Sequence, residues 1–512
     1  MISNAKSKEE DIKNPNTATV YEISNNASES TCNPEKPAFD DIDHAKLLKK
    51  MDFHIIPGIT ILFLLSFVDR GNIGNAKIEG LSTDLHLSGH QWSMVLTVFY
   101  FTYSPFEVPF NMLMARFRPS IILPLTMVLW GIVVTLTSLV KNYHQLLVLR
   151  LLLGITESAL YPGAVFYLTK WYTRRDLQYR QALFFAAASG AGAFSGILAY
   201  GIAFMKGIAG LNGWCWIFII EGIFTVVVAI MMYFIVYDYP ETAKFLTERE
   251  RKYILYKLKH DFSTTMPVSE ELLEEVYSKK DKGALKAAFT DWQLYCHILV
   301  HWSLVTTLYT VSFFLPSIVK SLGFKNANAQ LMTVPPYIAA VIFSLITAYY
   351  SDKMNLRSLP IFCYHIILLV GYIMAICVES QKHPGVVYAA MFLIVIGSYS
   401  AFPGMISWLA VNLDGPYKRS IGIGAHIAFG NMGSTFATNY FRSQDAPNYR
   451  LGYGMSIMFV SIGMVTLSFI NFRYYTINKK NKKDIANGVY DHISPRDLLE
   501  MGDKNPYFVY KH

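Results

Sequence analysis

Apolar residues along this chain gather into blocks of about twenty, and polar and apolar positions do not alternate within them. Twelve blocks fall at approximately 54–77, 90–113, 119–140, 145–170, 180–205, 214–237, 292–319, 329–350, 358–378, 386–410, 420–441 and 452–474. Each is long enough to cross a bilayer as a helix. Barrel strands would alternate in polarity, so helix is the expected element, and the interior Gly and Pro residues are tolerable in membrane helices. The pattern predicts an all-α membrane protein of twelve transmembrane helices. Residues 1–50, rich in Ser, Asn, Glu and Lys, read as a disordered tail, and 238–291 as a charged, amphipathic loop. They leave a six-helix bundle at 51–237, a second at 292–475, and a closing tail at 476–512.

Composition agrees with a bilayer as the solvent. The chain of 512 residues is 53% hydrophobic and 16% charged, with a mean hydropathy of +0.29. A soluble protein would carry about 25% charged residues. The net charge is +8, and its placement matters more than its size. Ten Lys or Arg fall in 244–286, with further groups at Lys170, Arg174, Arg175 and Arg180, at Lys418 and Arg419, and at Lys479, Lys480, Lys482 and Lys483. Placing these stretches in the cytoplasm satisfies the positive-inside rule and puts both termini there. Basic charge scattered over membrane-flanking loops does not make a nucleic-acid surface, so no nucleic acid is expected as a partner. The first apolar block is too long for a signal peptide and lacks a small-residue cleavage site. The five cysteines show neither metal-ligand spacing nor a disulfide framework, and no phosphate-binding Gly-rich run or nucleophile elbow is present.

The halves echo each other at an offset of about 240 residues. Ser158-Ala159-Leu160-Tyr161-Pro162-Gly163 in the fourth block answers Ser400-Ala401-Phe402-Pro403-Gly404 in the tenth, and Arg180 answers Arg419. Arg116-Phe117-Arg118-Pro119 lies opposite Asp352-Lys353 and Arg357. Two pseudo-symmetric halves of six helices suit a carrier whose site lies near the bilayer midplane between them.

Ionised side chains inside a bilayer are costly and persist where they face a bundle interior or a wet cavity. The first block carries Asp69-Arg70. Neighbours on a helix point about 100° apart, so Arg70 is expected to face a central cavity while Asp69 reaches toward a neighbouring helix. Arg150 and Glu157 are seven residues apart, which puts them on one stripe of the fourth helix, about 10 Å apart in rise. The plain use of the two is a structural ion pair with neighbouring helices. The functional use is a guanidinium that grips a carboxylate bidentately, beside a carboxyl group that loads a proton. Tyr100 and Tyr103 could add a hydroxyl and an aromatic wall, or simply pack. Asn431, among glycines, could face a cavity. Glu107 reads as a structural latch to a basic loop near the end of the second helix, and Glu221 as a hydrogen-bonded packing carboxylate. His301, His365 and His426 read as satisfied packing residues. Ser407 and Trp408 have a weaker claim on substrate.

Several runs resemble the major facilitator superfamily and, within it, the fungal allantoate-permease branch of the anion:cation symporters. They are Asp69-Arg70-Gly71-Asn72-Ile73-Gly74-Asn75-Ala76, Arg150 through Glu157 continuing to Pro162-Gly163, Trp216 through Gly222, Asp238 through Leu246, and Val334-Pro335-Pro336-Tyr337. The resemblance covers roughly 50–475 and implies proton-coupled import of a small organic anion, with the nicotinate permeases most similar. It implies substrate-binding roles for Arg70 and Arg150 and proton coupling through Asp69 and Glu157; Asn431, Tyr100 and Tyr103 join the expected substrate site from their own chemistry. The loop after the second block keeps Arg116 but lacks the superfamily's acid, while the second-half loop retains Asp352 and Lys353; these three are the expected gating residues. The resemblance implies no cofactor beyond the proton as coupling ion, no metal and no enzymatic activity. Its expected partners are a small-molecule carboxylate and the lipid bilayer. It implies a monomer, in the plasma membrane, with the endoplasmic reticulum and vacuole as alternatives. Allantoate, pantothenate and biotin are alternative substrates, and a nutrient receptor or a uniporter on the same scaffold are alternative functions.

Overall fold

The structure is a computed structural model that describes residues 42–259, 283–324, 326–354 and 356–512, with Phe39, Leu272 and Val276 as isolated positions. Residues 45–512 form one compact unit. Among the described residues the regular structure is helical: α1 (His44–Ile78), α2 (Gly89–Arg116), α3 (Pro119–Thr137), α4 (Tyr143–Glu157 continuing as Leu160–Thr169), α5 (Arg174–Ile202), α6 (Gly213–Ile235), α7 (Trp292–Ser321), α8 (Val334–Met354), α9 (Ser358–Cys377), α10 (Pro384–Asn412), α11 (Pro416–Asn431 continuing as Ser434–Tyr440) and α12 (Arg450–Ala486). Ten of these stretches are long and apolar enough to cross a membrane. α2 and α11 occupy their expected places but fall short of that standard. The inner run of α2 is diluted by Thr102, Ser104, Glu107 and two prolines, and α11 is split into pieces of 16 and 7 residues.

Two boundaries differ from expectation. α1 starts at His44, ten residues ahead of the first apolar block, so 45–50 are helix rather than tail. The rest of the expected disordered tail, like most of 260–282, lies outside the described residues. Beyond 475, α12 runs on to Ala486 and the chain then folds back onto the second half. Asn478 exchanges two hydrogen bonds with the Tyr510 backbone at 2.8 and 3.0 Å, and the Trp408 indole donates to the Lys511 carbonyl at 2.8 Å. Trp408 therefore faces this tail rather than substrate.

Glycines let particular helices approach closely. At Gly222 of α6 an added Cβ would lie 2.6 Å from the Thr135 nitrogen and 3.0 Å from the Gly131 carbonyl of α3. At Gly154 of α4 it would overlap the Thr102 hydroxyl and the Phe99 carbonyl of α2. Between the halves, α5 packs on α8 and α2 on α11, an exchange of second and fifth helices that follows the internal repeat.

The repeat also appears in ion pairs. Arg180 at the start of α5 grips Asp52 at the start of α1 through two bonds of 2.8 and 2.9 Å. The matching pair in the second half is Lys418 with Asp291, at 2.6 Å. By this geometry the counterpart of Arg180 is Lys418, whereas the sequence echo suggested Arg419, one position along.

Gly154→Leu should force α2 and α4 apart. Overpacking of this kind costs about 1–3 kcal/mol or more. A clearly lowered midpoint in thermal unfolding of the purified protein is expected, and an unchanged midpoint would show that the close approach carries no stability.

Candidate functional site

The site is built around one guanidinium. Arg70 is 6% exposed and sits where α1, α2, α4 and α7 converge. Its Nε donates to Glu157 Oε1 at 2.5 Å, its Nη2 to the Tyr103 hydroxyl at 2.8 Å, and its Nη1 to the Tyr309 hydroxyl at 2.6 Å. Tyr309 belongs to the second half, so this residue joins the two bundles. Aromatic rings surround the charge, with Tyr103 at 4.7 Å and Phe67 at 5.2 Å from the guanidinium carbon. Such contacts contribute about 2 kcal/mol each when desolvated.

Glu157 is the last residue of the first piece of α4. Pro162 has no N–H to give the Ser158 carbonyl, and the helix is interrupted at Ser158–Ala159, directly after Glu157. Gly154, one turn earlier, brings α2 and its Tyr103 alongside.

Arg150 shares the Glu157 stripe but does not pair with it. It is buried, its Nε makes no hydrogen bond, and Glu157, Tyr100 and Asp69 are the groups whose fields reach it. The second oxygen of Glu157 and the Tyr100 hydroxyl are likewise buried without hydrogen-bond partners. One cation and two polar oxygens therefore stand unmatched beside a satisfied ion pair.

Asp69 turns away from this centre. Its carboxylate accepts from the Trp130 indole of α3 at 2.8 Å and from Thr225 of α6 at 3.3 Å. Asn72 bridges Asp69 and Glu221, donating to Asp69 at 3.5 Å and to Glu221 through a short bond. Asp69 and Arg70 thus face different surroundings, and Glu221 is a hydrogen-bonded packing carboxylate.

Glu107 is not a latch to a basic loop. α2 continues about 13 Å beyond it, and the carboxylate is 1% exposed between the halves, accepting from Asn431 at 2.8 Å. Asn431 is therefore committed to Glu107. Ser407 of α10 donates to Gln181 of α5 at 2.7 Å. His365 is satisfied by Ser303 and the Ile361 carbonyl, both at 2.8 Å, but no side chain bonds either ring nitrogen of His301 or His426. Of the expected gating residues, Lys353 is exposed at the end of α8, and the side chains of Arg116 and Asp352 lie outside the described residues.

The halves meet on both sides of Arg70. Toward the face that carries 238–259, Phe185 of α5 stacks on Phe402 of α10 at 4.6 Å. Toward the other face, Thr97 of α2 bonds Thr438 of α11 at 2.8 Å. A cavity of about 20 Å³ lies between the halves, lined by Phe67, Gly71, Asn75, Ser195, Tyr337 and Tyr399. It has room for about one water, and with contacts on both sides of Arg70 the described residues form a closed arrangement.

Sequence reading missed Tyr309, Trp130, Thr225 and His297. Tyr309 and His297 are polar positions in an apolar helix and could have been flagged as such. Trp130 and Thr225 look like ordinary membrane residues and carried no signal.

A family model described as Major Facilitator Superfamily matches residues 59–438. The MFS-type transporter cnsO of Penicillium expansum is 34% identical over 482 residues, which are 92% of this chain and 91% of that one. An uncharacterized transporter of Schizosaccharomyces pombe is 31% identical over 491 residues, 95% and 94% of the two chains. Among solved structures, the MFS proton:xylose symporter XylE bound to 6-bromo-6-deoxy-D-glucose superposes with a TM-score of 0.63. It covers 81% of this chain and 95% of that one at 14% identity, a likeness of fold alone.

Removing one member of a buried ion pair strands the other charge, at a cost of about 3–5 kcal/mol. Arg70→Gln should therefore lower the thermal midpoint strongly, and the double variant Arg70→Gln with Glu157→Gln should recover much of the loss. Additive losses in that cycle would show that the two side chains are not energetically coupled.

Proposed function

The chain belongs to the major facilitator superfamily and is an integral membrane transporter, and from that premise we propose that it imports a small organic carboxylate together with a proton. The observation that carries this reading is Arg150, a buried guanidinium with an unmatched Nε on the same stripe as Glu157. A planar fork in a dry cleft fits a carboxylate. The unmatched Glu157 oxygen and Tyr100 hydroxyl supply a proton site and a hydrogen bond beside it.

The arrangement suggests how the two solutes are coupled. In the closed form Arg70 is neutralised by Glu157. An incoming carboxylate takes the place of Glu157 on Arg70 while Arg150 grips its other edge, and a proton on the displaced Glu157 keeps the charge of the cluster unchanged. Anion and proton then cross as a neutral pair, which avoids about 2.3 kcal/mol per 100 mV for an uncompensated charge. Arg70 and Arg150 hold the anion, Tyr100 and Tyr103 line the site, and Glu157 carries the proton. Asp69, bonded to α3 and α6, senses the same charge from within the first half. Glu107 and Asn431 tie α2 to α11 and are released when the halves part. Arg116, Asp352 and Lys353 are assigned to the gate.

The runs shared with the allantoate-permease branch of the anion:cation symporters support a vitamin or nitrogen-source anion, and nicotinate is the proposed substrate. The basic stretches at 244–286, 418–419 and 479–483 support a cytoplasmic position for that face and for both termini. The plasma membrane is the proposed location and a monomer the proposed working unit.

Uptake of labelled nicotinate into cells expressing the chain, with allantoate, pantothenate, biotin and short peptides as competitors, tests the substrate. Competition by the carboxylate vitamins but not by peptides is expected. Arg150→Lys keeps the charge but loses the fork, and should reduce uptake by about tenfold or more at unchanged surface abundance. Normal uptake by the Lys variant would remove Arg150 from the site.

A further inference from the structure

Three histidines in the second half have no role in the site described above. His297 and His301 lie one turn apart on α7, and His426 on α11 stands between them. The His301 and His426 ring centres are 4.8 Å apart, and those of His297 and His426 are 6.0 Å apart. All three side chains are fully buried. No side chain bonds either nitrogen of His301 or His426, and His297 has one contact, from Nε2 to the Tyr474 hydroxyl at 3.5 Å. Packing alone does not call for three imidazoles here, since apolar rings would fill the space without burying unmatched nitrogens.

The outer end of this row meets polar groups, and the inner end packs on the helix that carries Asn431. At the inner end, the His301 ring lies so close to Gly430 that an added Cβ would overlap it. The next residue is Asn431, which donates to Glu107 across the interface between the halves. At the outer end, Tyr474 donates to Gln293 Oε1 at 2.6 Å, and Gln293 Nε2 donates to Asp503 at 3.0 Å and to Asp291 at 3.2 Å. Lys418 bonds both acids, at 2.6 and 2.8 Å. These groups open onto a cavity of about 350 Å³ lined by Asp291, Asp414, Lys418, Glu500, Asp503 and Lys504, on the face that carries the C-terminal segment.

We propose that His301, His426 and His297 form a proton path through the second half, from the interface at Glu107 and Asn431 to the acidic cavity at Asp291 and Asp503. The proposal rests on the proton-symport reading above. Each imidazole accepts a proton at one ring nitrogen and releases one from the other, so each returns to neutral after a ring turn and no net chemistry occurs. Tyr474 of α12 meets the row directly, the Asp291–Lys418–Asp503 cluster reaches it through Gln293 and Tyr474, and Glu107 of α2 lies beyond Asn431, the chain neighbour of Gly430. Phe402 packs edge-on with His301 at 5.1 Å and Trp408 with His297 at 4.8 Å, which holds the two imidazole rings in place. At the outlet, burial and the neighbouring Asp291 hold the Asp503 carboxyl up at about 6 against the pull of Lys418. A carboxyl in that range accepts and sheds a proton near neutral pH.

The test uses the full chain in liposomes, with labelled nicotinate and a pH electrode. Wild type should alkalinise the outside as it accumulates nicotinate. His301→Gln and His426→Gln should lose most of the accumulation, which one coupled proton makes about tenfold per unit of pH gradient, yet keep nicotinate exchange at equal pH. His365→Gln, at a satisfied histidine, should keep both. Absence of proton movement in wild type overturns symport itself. Proton movement in wild type with unchanged accumulation in both variants overturns the histidine path alone. A second measurement needs neither substrate nor variants that transport. Magnetic resonance of isotope-labelled histidine in lipid nanodiscs should show the ring N–H protons of His301 and His426 exchanging with solvent faster than that of His365. Exchange at His301 and His426 no faster than at His365 overturns the proposal.

Discussion

A guanidinium removed from water must satisfy five N–H donors and one positive charge with protein groups, and the centre of this molecule is arranged around doing so for Arg70. Glu157 supplies the charge, Tyr103 and Tyr309 supply acceptors, and four aromatic rings exclude water. Each partner has its own setting. Glu157 closes the first piece of α4, Tyr103 needs the close approach at Gly154, and Tyr309 needs the second half to be docked. The same interaction thus links local helix chemistry to the closed arrangement of the two bundles. Arg150, two turns along the stripe from Glu157, stays outside this ion pair.

The internal repeat distributes the remaining polar contacts. Arg180 with Asp52 and Lys418 with Asp291 fix the same pair of helix starts in each half. The first pair sits at the edge of its bundle. The second has gained Asp503 from the C-terminal segment and lies below a row of histidines. One half therefore holds the charged centre, and the other holds a graded polar route to the surface. Equivalent positions in a duplicated scaffold have acquired different chemistry while keeping the same packing.

Much of this was legible in the sequence, for reasons that are physical. Apolar blocks of bilayer length are hard to mistake, and the helices lie where the blocks are. The charges at Asp69, Arg70, Arg150 and Glu157 stood out because ionised groups are so costly in that setting. Adjacent positions on a helix diverge, which is why the different surroundings of Asp69 and Arg70 could be anticipated. Partner identity was not legible. Glu157 could have met Arg150 on its own helix, and only the tertiary arrangement pairs it with Arg70. Glu107 was misread because its depth depends on where α2 ends, and helix ends are the least certain part of a pattern. α1 began early because a helix can continue past the apolar block into water. The docking of 487–512 onto the second half was not visible either, since a polar tail with scattered tyrosines has no period to read.

One thermodynamic demand follows: for the anion to take the place of Glu157 on Arg70, the displaced Glu157 must take up a proton, which keeps the charge of the cluster unchanged. Calorimetric titration of nicotinate into the purified chain, repeated in buffers of different ionisation enthalpy, counts the protons bound with each anion. The account predicts about one proton taken up per anion near neutral pH. Saturable binding of nicotinate with no proton uptake would contradict it.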